Sequence, residues 1–221
     1  MTPRTTVRSR REAVVRALLD THGRTYARDA GIRLRDTPQP LYQLLVLSCL
    51  LSARIRGSAA VASARELFAA GLRDPRRMAD AAWQDRVDAL GRGGYRRYDE
   101  RTATQLGDGA RLVRDEYGGD LRKLRARADG DLAALRRLLR RTPGLGPTGA
   151  DIFLREAQGT WPEVAPYFDE KALQGARRLE LPDDQDALAR LAPGDPAVFA
   201  AALVRAALDR RVADEVAGTA A

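Results

Sequence analysis

Apolar residues recur along the chain at helical spacing almost throughout. Val14, Val15, Leu18 and Leu19 form one amphipathic stripe. Residues 41–51 are apolar nearly all round and predict a central buried helix. Further helices are predicted over 61–70, 78–90, 101–117 and 131–140. Proline and glycine punctuate between them, in "DTPQP", "GLRDP", "GRGGY", "GGD", "TPGLGP", "LPDD" and "LAPGDP". Clear strand alternation is absent, and helices joined by short loops predict an all-α fold. Trp83 is expected in the core.

The densest punctuation lies within "LLRRTPGLGPTGADIF", residues 138–153. Leu132, Leu135, Leu138 and Leu139 share one face of the incoming helix. Gly144 and Gly146 permit φ > 0, so the chain can reverse within a few residues. Leu145 between them can point inward and pin the two helices. Pro147 suits the first turn of the next helix, where its missing N–H costs nothing. The result is a tight αα hairpin. Its backbone N–H groups, with the N-terminus of the second helix, form an anion site able to grip one phosphate. Thr148 would add a hydroxyl and Gly149 would allow close approach.

Composition narrows the chemistry. With 221 residues, 44% of them apolar, the chain can build one large domain or two small lobes with real cores. No run approaches a membrane span, so no membrane partner is expected. The basic start "MTPRTTVRSRREAVV" lacks the apolar stretch of a signal peptide. A single cysteine, Cys49, excludes a disulfide framework and any four-cysteine metal site made by this chain alone. The single histidine, His22, argues against a Ser-His-Asp triad or a histidine-rich metal site. The expected compartment is the reducing cytoplasm. Net charge is +8, and Lys123 and Lys171 are the only lysines, so arginine carries nearly all of it. That balance suits a polyanionic partner.

The hairpin "TPGLGPTGADIF" resembles the "LPGxGxxTA"-type hairpin of the helix-hairpin-helix DNA glycosylase superfamily, typified by endonuclease III. The resemblance extends both ways in the family's motif order, over roughly residues 38–180. Upstream, "LYQLLVLSCLLSARIRGSAA" is similar to the family's first barrel helix, which usually ends in "LLSAQ". "GRGGYRRYDERTATQL" is similar to its "GxxxxKAxxI" loop and helix. Downstream, "WPEVAPYFDEKALQGARRL" is similar to "WPxxxVDTHVxRV", which carries the essential aspartate.

The resemblance implies a two-lobed all-α fold. Residues 41–159 would form a helical barrel lobe ending in the hairpin. Residues 1–40 and 160–221 would form a second helical lobe, with the catalytic aspartate in the cleft. It also implies a double-stranded DNA partner, a monomer, association with the nucleoid when bound, and excision of a damaged or mismatched base flipped out of the duplex. Asp169 matches the family's aspartate, which precedes a helix. A carboxylate there can stabilise the cationic sugar formed as the N-glycosidic bond breaks, and can position or deprotonate water. Asp169 also reads as a helix N-cap with Glu170 in the first turn. The spacing from the hairpin is a few residues longer than in endonuclease III, which leaves Glu170 as the alternative acid.

Two family features are missing. Bifunctional members carry a lysine two residues after the second hairpin glycine, where this chain has Thr148. A hydroxyl cannot form a Schiff base, so the expected enzyme is monofunctional. Lys171 is the alternative amine of a bifunctional enzyme, or else a surface or phosphate-contacting lysine. The four cysteines of the iron–sulfur cluster are also absent, and "LPDDQDALARLAPGDPAVFAAALVRAAL" reads as a helical replacement. No cofactor is expected. No metal is expected from side chains; the hairpin carbonyls remain a place for a monovalent cation. Arg54 matches the family's plugging glutamine, and its planar guanidinium could stack in the gap left by a flipped base. Tyr95 sits in the loop that usually supplies a wedge and could intercalate. Arg56, Arg96, Arg97 and Arg101 are the expected phosphate contacts. Trp161 and Phe168 flank the expected pocket or belong to the core.

Overall fold

The structure is a computed structural model that describes residues 3–191 and 194–220, with side chains from residue 8 onward. Among the described residues every regular element is helical. The chain opens with α1 (Pro3–His22) and continues through α2 (Tyr26–Asp29), α3 (Pro38–Leu51), α4 (Gly57–Ala69) and α5 (Pro75–Asp80). Then come α6 (Trp83–Arg92), α7 (Asp99–Tyr117), α8 (Leu121–Ala128), α9 (Leu132–Leu139) and α10 (Pro147–Ala157). A 3-10 turn at Pro162–Val164 precedes α11 (Glu170–Arg178), α12 (Gln185–Leu191), α13 (Pro196–Leu208) and α14 (Arg210–Thr219). No single helix among the described residues is long and apolar enough to cross a membrane.

Two compact units emerge. Residues 26–154 form a middle unit; residues 1–25 and 155–221 form an end unit. Residues 26–40, expected with the chain ends, join the middle. Residues 155–159, expected with the barrel, join the ends, so the boundary falls within α10.

In the middle unit α3 is the central helix. Leu41, Leu44, Leu47 and Leu50 are fully buried, and it packs on α4 and α8. Local chemistry sets the starts. Pro38 and Pro75 stand in first turns, while Asp74, Asp120 and Asp131 accept N-cap hydrogen bonds. The helix expected over 78–90 is two helices. Ala81 and Ala82 are extended, with ψ of 150° and 147°. The cause is Arg86, a buried arginine whose guanidinium donates to Met78 O and Ala81 O, both at 2.9 Å, and to Ala103 O at 2.8 Å. It takes carbonyls that a continuous helix would use. Trp83, expected in the core, is 42% exposed; its indole N–H donates to Thr104 Oγ1 at 3.1 Å.

In the end unit α13 is apolar on nearly every side and packs on α1, α11 and α14. Val14, Val15 and Leu18 of α1 are buried in this unit. The α11–α13 crossing is so close that a Cβ on Gly175 would lie 1.9 Å from Leu203 O. Only glycine fits there.

Candidate functional site

The hairpin joins α9 to α10. Leu139 and Leu145 are buried beneath it, and Leu145 N–H donates to Thr142 O at 3.0 Å. A bidentate ion pair braces the two helices, Arg136 Nε to Asp151 Oδ1 at 2.6 Å and Nη2 to Oδ2 at 2.8 Å. Gly144 takes φ +82°, the reversal expected of it. Gly146 does not adopt positive φ, and a Cβ placed on it would meet nothing within 4 Å. Neither backbone conformation nor packing asks for glycine there, and open space lies over the start of α10. Gly149 is different. Its Cβ would lie 2.7 Å from Leu145 Cδ1, so its missing side chain serves the hairpin's own packing. Among the expected contacts, Leu145 and Gly149 are therefore interior pins, while Gly146 and Thr148 face outward.

The hairpin forms one wall of an open cleft of about 460 Å³ within the middle unit. Arg54 comes from the end of the α3 segment, Tyr98, Arg101 and Gln105 from the next motif, and Gly144, Gly146 and Thr148 from the hairpin. Three stretches far apart in sequence thus meet around one space. Cys49 lies in its floor, and burial pushes its thiol up to about 12. Tyr95 corrects the sequence expectation. It is 1% exposed and its hydroxyl accepts from Thr102 Oγ1 at 3.3 Å, so it cannot serve as a wedge from this position. Burial raises its phenol above the ordinary value, with the Thr102 hydrogen bond pulling the other way. Tyr98, three residues on, is only half-buried and lines the cleft, with the Arg97 guanidinium 5.3 Å from its ring centre.

Charge is distributed unevenly among the arginines. Arg92, Arg111, Arg122, Arg125 and Arg141 are paired with carboxylates at 2.5–3.1 Å. Arg54 and Arg101 line the cleft; Arg56, Arg96 and Arg97 stand on the same two loops. All five are exposed, and among the described residues none is in an ion pair. Arg54 and Arg101 therefore put positive charge on the hairpin cleft, while Arg96 lines a separate shallow depression with Asp88 and Asp99.

Asp169 belongs to the end unit. Its side chain is 8% exposed and both oxygens are engaged. Oδ1 accepts from Ala172 N at 2.9 Å as the N-cap of α11, and Oδ2 is ion-paired with the buried Arg155. Both oxygens of the acid are thus held within the fold. Glu170 is exposed and paired with Arg177. Lys171 is exposed, with Nζ 2.8 Å from Gln174 Oε1. Trp161 and Phe168 are core residues; Phe168 meets Phe199 edge to face at 5.8 Å. Arg155 was not found by sequence reasoning, because "LREAQG" reads as the solvated end of a helix. Among the described residues no three His, Cys, Asp or Glu side chains gather to hold a metal ion.

No family model matches the chain, and no curated protein shows a significant sequence match to it.

Proposed function

We propose that the chain is a monofunctional DNA glycosylase of the helix-hairpin-helix kind. It would bind duplex DNA through the hairpin and the arginine-bearing loops, flip a damaged or mismatched base, and hydrolyse its N-glycosidic bond with Asp169 stabilising the cationic sugar. The observation that carries the reading is the meeting of Arg54, Tyr98, Arg101 and the hairpin around one cleft. Gly146 adds to it, since its open face suits a phosphate approaching the backbone more closely than any side chain would allow. Thr148 at the hairpin offers no amine, in keeping with hydrolysis without strand cleavage.

A second reading has its own observation. Both oxygens of Asp169 are already used within the fold, which favours a DNA-binding module without catalysis. The test is a panel of duplexes, each with one lesion or mismatch, split between direct gel analysis and hot alkali, with Asp169→Asn alongside. Breaks only after alkali, lost in a variant that remains folded, are the expected result. Breaks without alkali, trapped by borohydride, would replace it with a lyase using Lys171 or another amine. No excision with salt-sensitive duplex binding retained would establish the module.

A further inference from the structure

The segment leading into Asp169 has an unusual pair of restraints. Ala165 and Asp169 are extended, with ψ of 144° and 167°. Extended backbone without a partner strand leaves N–H and C=O groups to be satisfied elsewhere. Here two glutamine side chains do it. A primary amide offers one donor and one acceptor side by side, as a neighbouring peptide group would. Gln158 Nε2 donates to Tyr167 O and its Oε1 accepts from Tyr167 N, both at 2.8 Å. Gln185 does the same to the next residue: Nε2 donates to Phe168 O and Oε1 accepts from Phe168 N, again both at 2.8 Å. Each amide thus serves both backbone groups of one residue, and the two residues are consecutive.

The clamps come from different elements. Gln158, 2% exposed, follows α10 directly, and its Nε2 also donates to Arg155 O at 3.0 Å. It therefore ties the segment to the same residue whose guanidinium pairs with Asp169. Gln185 begins α12, well beyond Asp169 in sequence. Backbone and carboxylate are fixed separately: the glutamines hold Tyr167 and Phe168, while Arg155 and the Ala172 N–H hold the acid itself.

We infer that Gln158 and Gln185 are positioning residues that set where the Asp169 carboxylate stands, through paired hydrogen bonds to the two preceding residues. The inference rests on Asp169 being the acid of the proposed reaction. It also gives the segment after α11 a role, since α12 supplies one jaw of the clamp.

The test uses the full chain and two substitutions at the more exposed jaw. Gln185→Glu keeps the acceptor and loses the donor; Gln185→Met loses both at similar size. Gln158→Met repeats the test at the buried jaw. Three quantities are measured: single-turnover excision on the duplex identified by the panel, the Kd for that duplex, and amide exchange at Phe168. Excision is expected to slow roughly 10- to 100-fold in Gln185→Met with Kd unchanged, since a displaced catalytic group costs rate rather than binding. Gln185→Glu should be slowed less and recover as acid pH returns its proton donor. Phe168 exchange should quicken in Gln185→Met. Excision at the wild-type rate with faster exchange would overturn the inference and leave the glycosylase reading intact. Rate and Kd worsening together would also overturn it. No excision by the wild type on any duplex would remove the glycosylase reading, and the positioning role with it.

Discussion

Replacing Asp169 by asparagine removes a buried negative charge and leaves its partner behind. The Arg155 and Asp169 side chains are 3% and 8% exposed, so water cannot take the place of the lost carboxylate oxygen beside the guanidinium. Breaking a buried pair by losing one partner costs about 3–5 kcal/mol. Asparagine caps a helix about as well as aspartate, so the cap on α11 adds about zero, and the lost charge at its N-terminus adds roughly 0.3–1 kcal/mol. The expected destabilisation is therefore about 4 kcal/mol, or a Tm lower by roughly 10 °C for a chain of this length. The double variant Arg155→Met/Asp169→Asn removes both charges and should recover to within about 2 kcal/mol of the wild type. Urea unfolding followed by circular dichroism across the four-member cycle measures the coupling directly. If Asp169→Asn alone unfolds within about 0.5 kcal/mol of the wild type, the buried-pair argument is refuted. The size of the effect also bears on the excision assay, where the double variant is the safer inactive control.

Gly146→Ala should leave unfolding within about 0.5 kcal/mol of the wild type, the weaker N-cap offsetting the gain from a stiffer unfolded chain, and should weaken duplex binding in a gel-shift titration. Gly149→Ala should do the reverse in order of severity, destabilising the fold first, because its Cβ would lie 2.7 Å from Leu145. Arg56→Ala should weaken all duplexes alike and reduce the slope of log K against log salt by about 0.9, one phosphate contact. Cys49, with its thiol pushed up to about 12 by burial, should resist a thiol-reactive dye at pH 8 and react only on unfolding. Its folded value is raised above the unfolded one. The stability linked to that proton is thus full below the unfolded value near 8.5 and falls as pH rises toward the folded value. Rapid labelling of the native chain would contradict this.

Much of the fold was legible because its punctuation is local. The hairpin is written in Gly144, Leu145 and Pro147, whose roles follow from backbone conformation, inward packing and helix initiation. The break after Asp80 was not legible. Two alanines, the best helix formers, sit where the chain leaves the helix, and the reason is a guanidinium several residues away. Helix α8 was missed because arginines crowd "LRKLRARA", although Leu121 and Leu124 bury one face. In the candidate cleft, "GGYRRY" offers two tyrosines, and nothing local says that Tyr95 turns inward while Tyr98 stays at the surface. Arg155, Gln158 and Gln185 were invisible for a related reason. Their partners are a carboxylate and backbone groups set by tertiary structure, which no spacing rule encodes.

The division of the chain has a consequence for its synthesis. The middle unit is drawn from residues 26–154, whereas the helices that α1 packs on, α12, α13 and α14, are made last among the described elements. At about 5–20 residues per second the wait for them is on the order of ten seconds. During it α1 lacks the helices that it packs on most, while residues 26–154 are already made. A ribosome-bound chain would thus present one fully synthesised unit and one adhesive helix, and that helix is where a chaperone would first take hold.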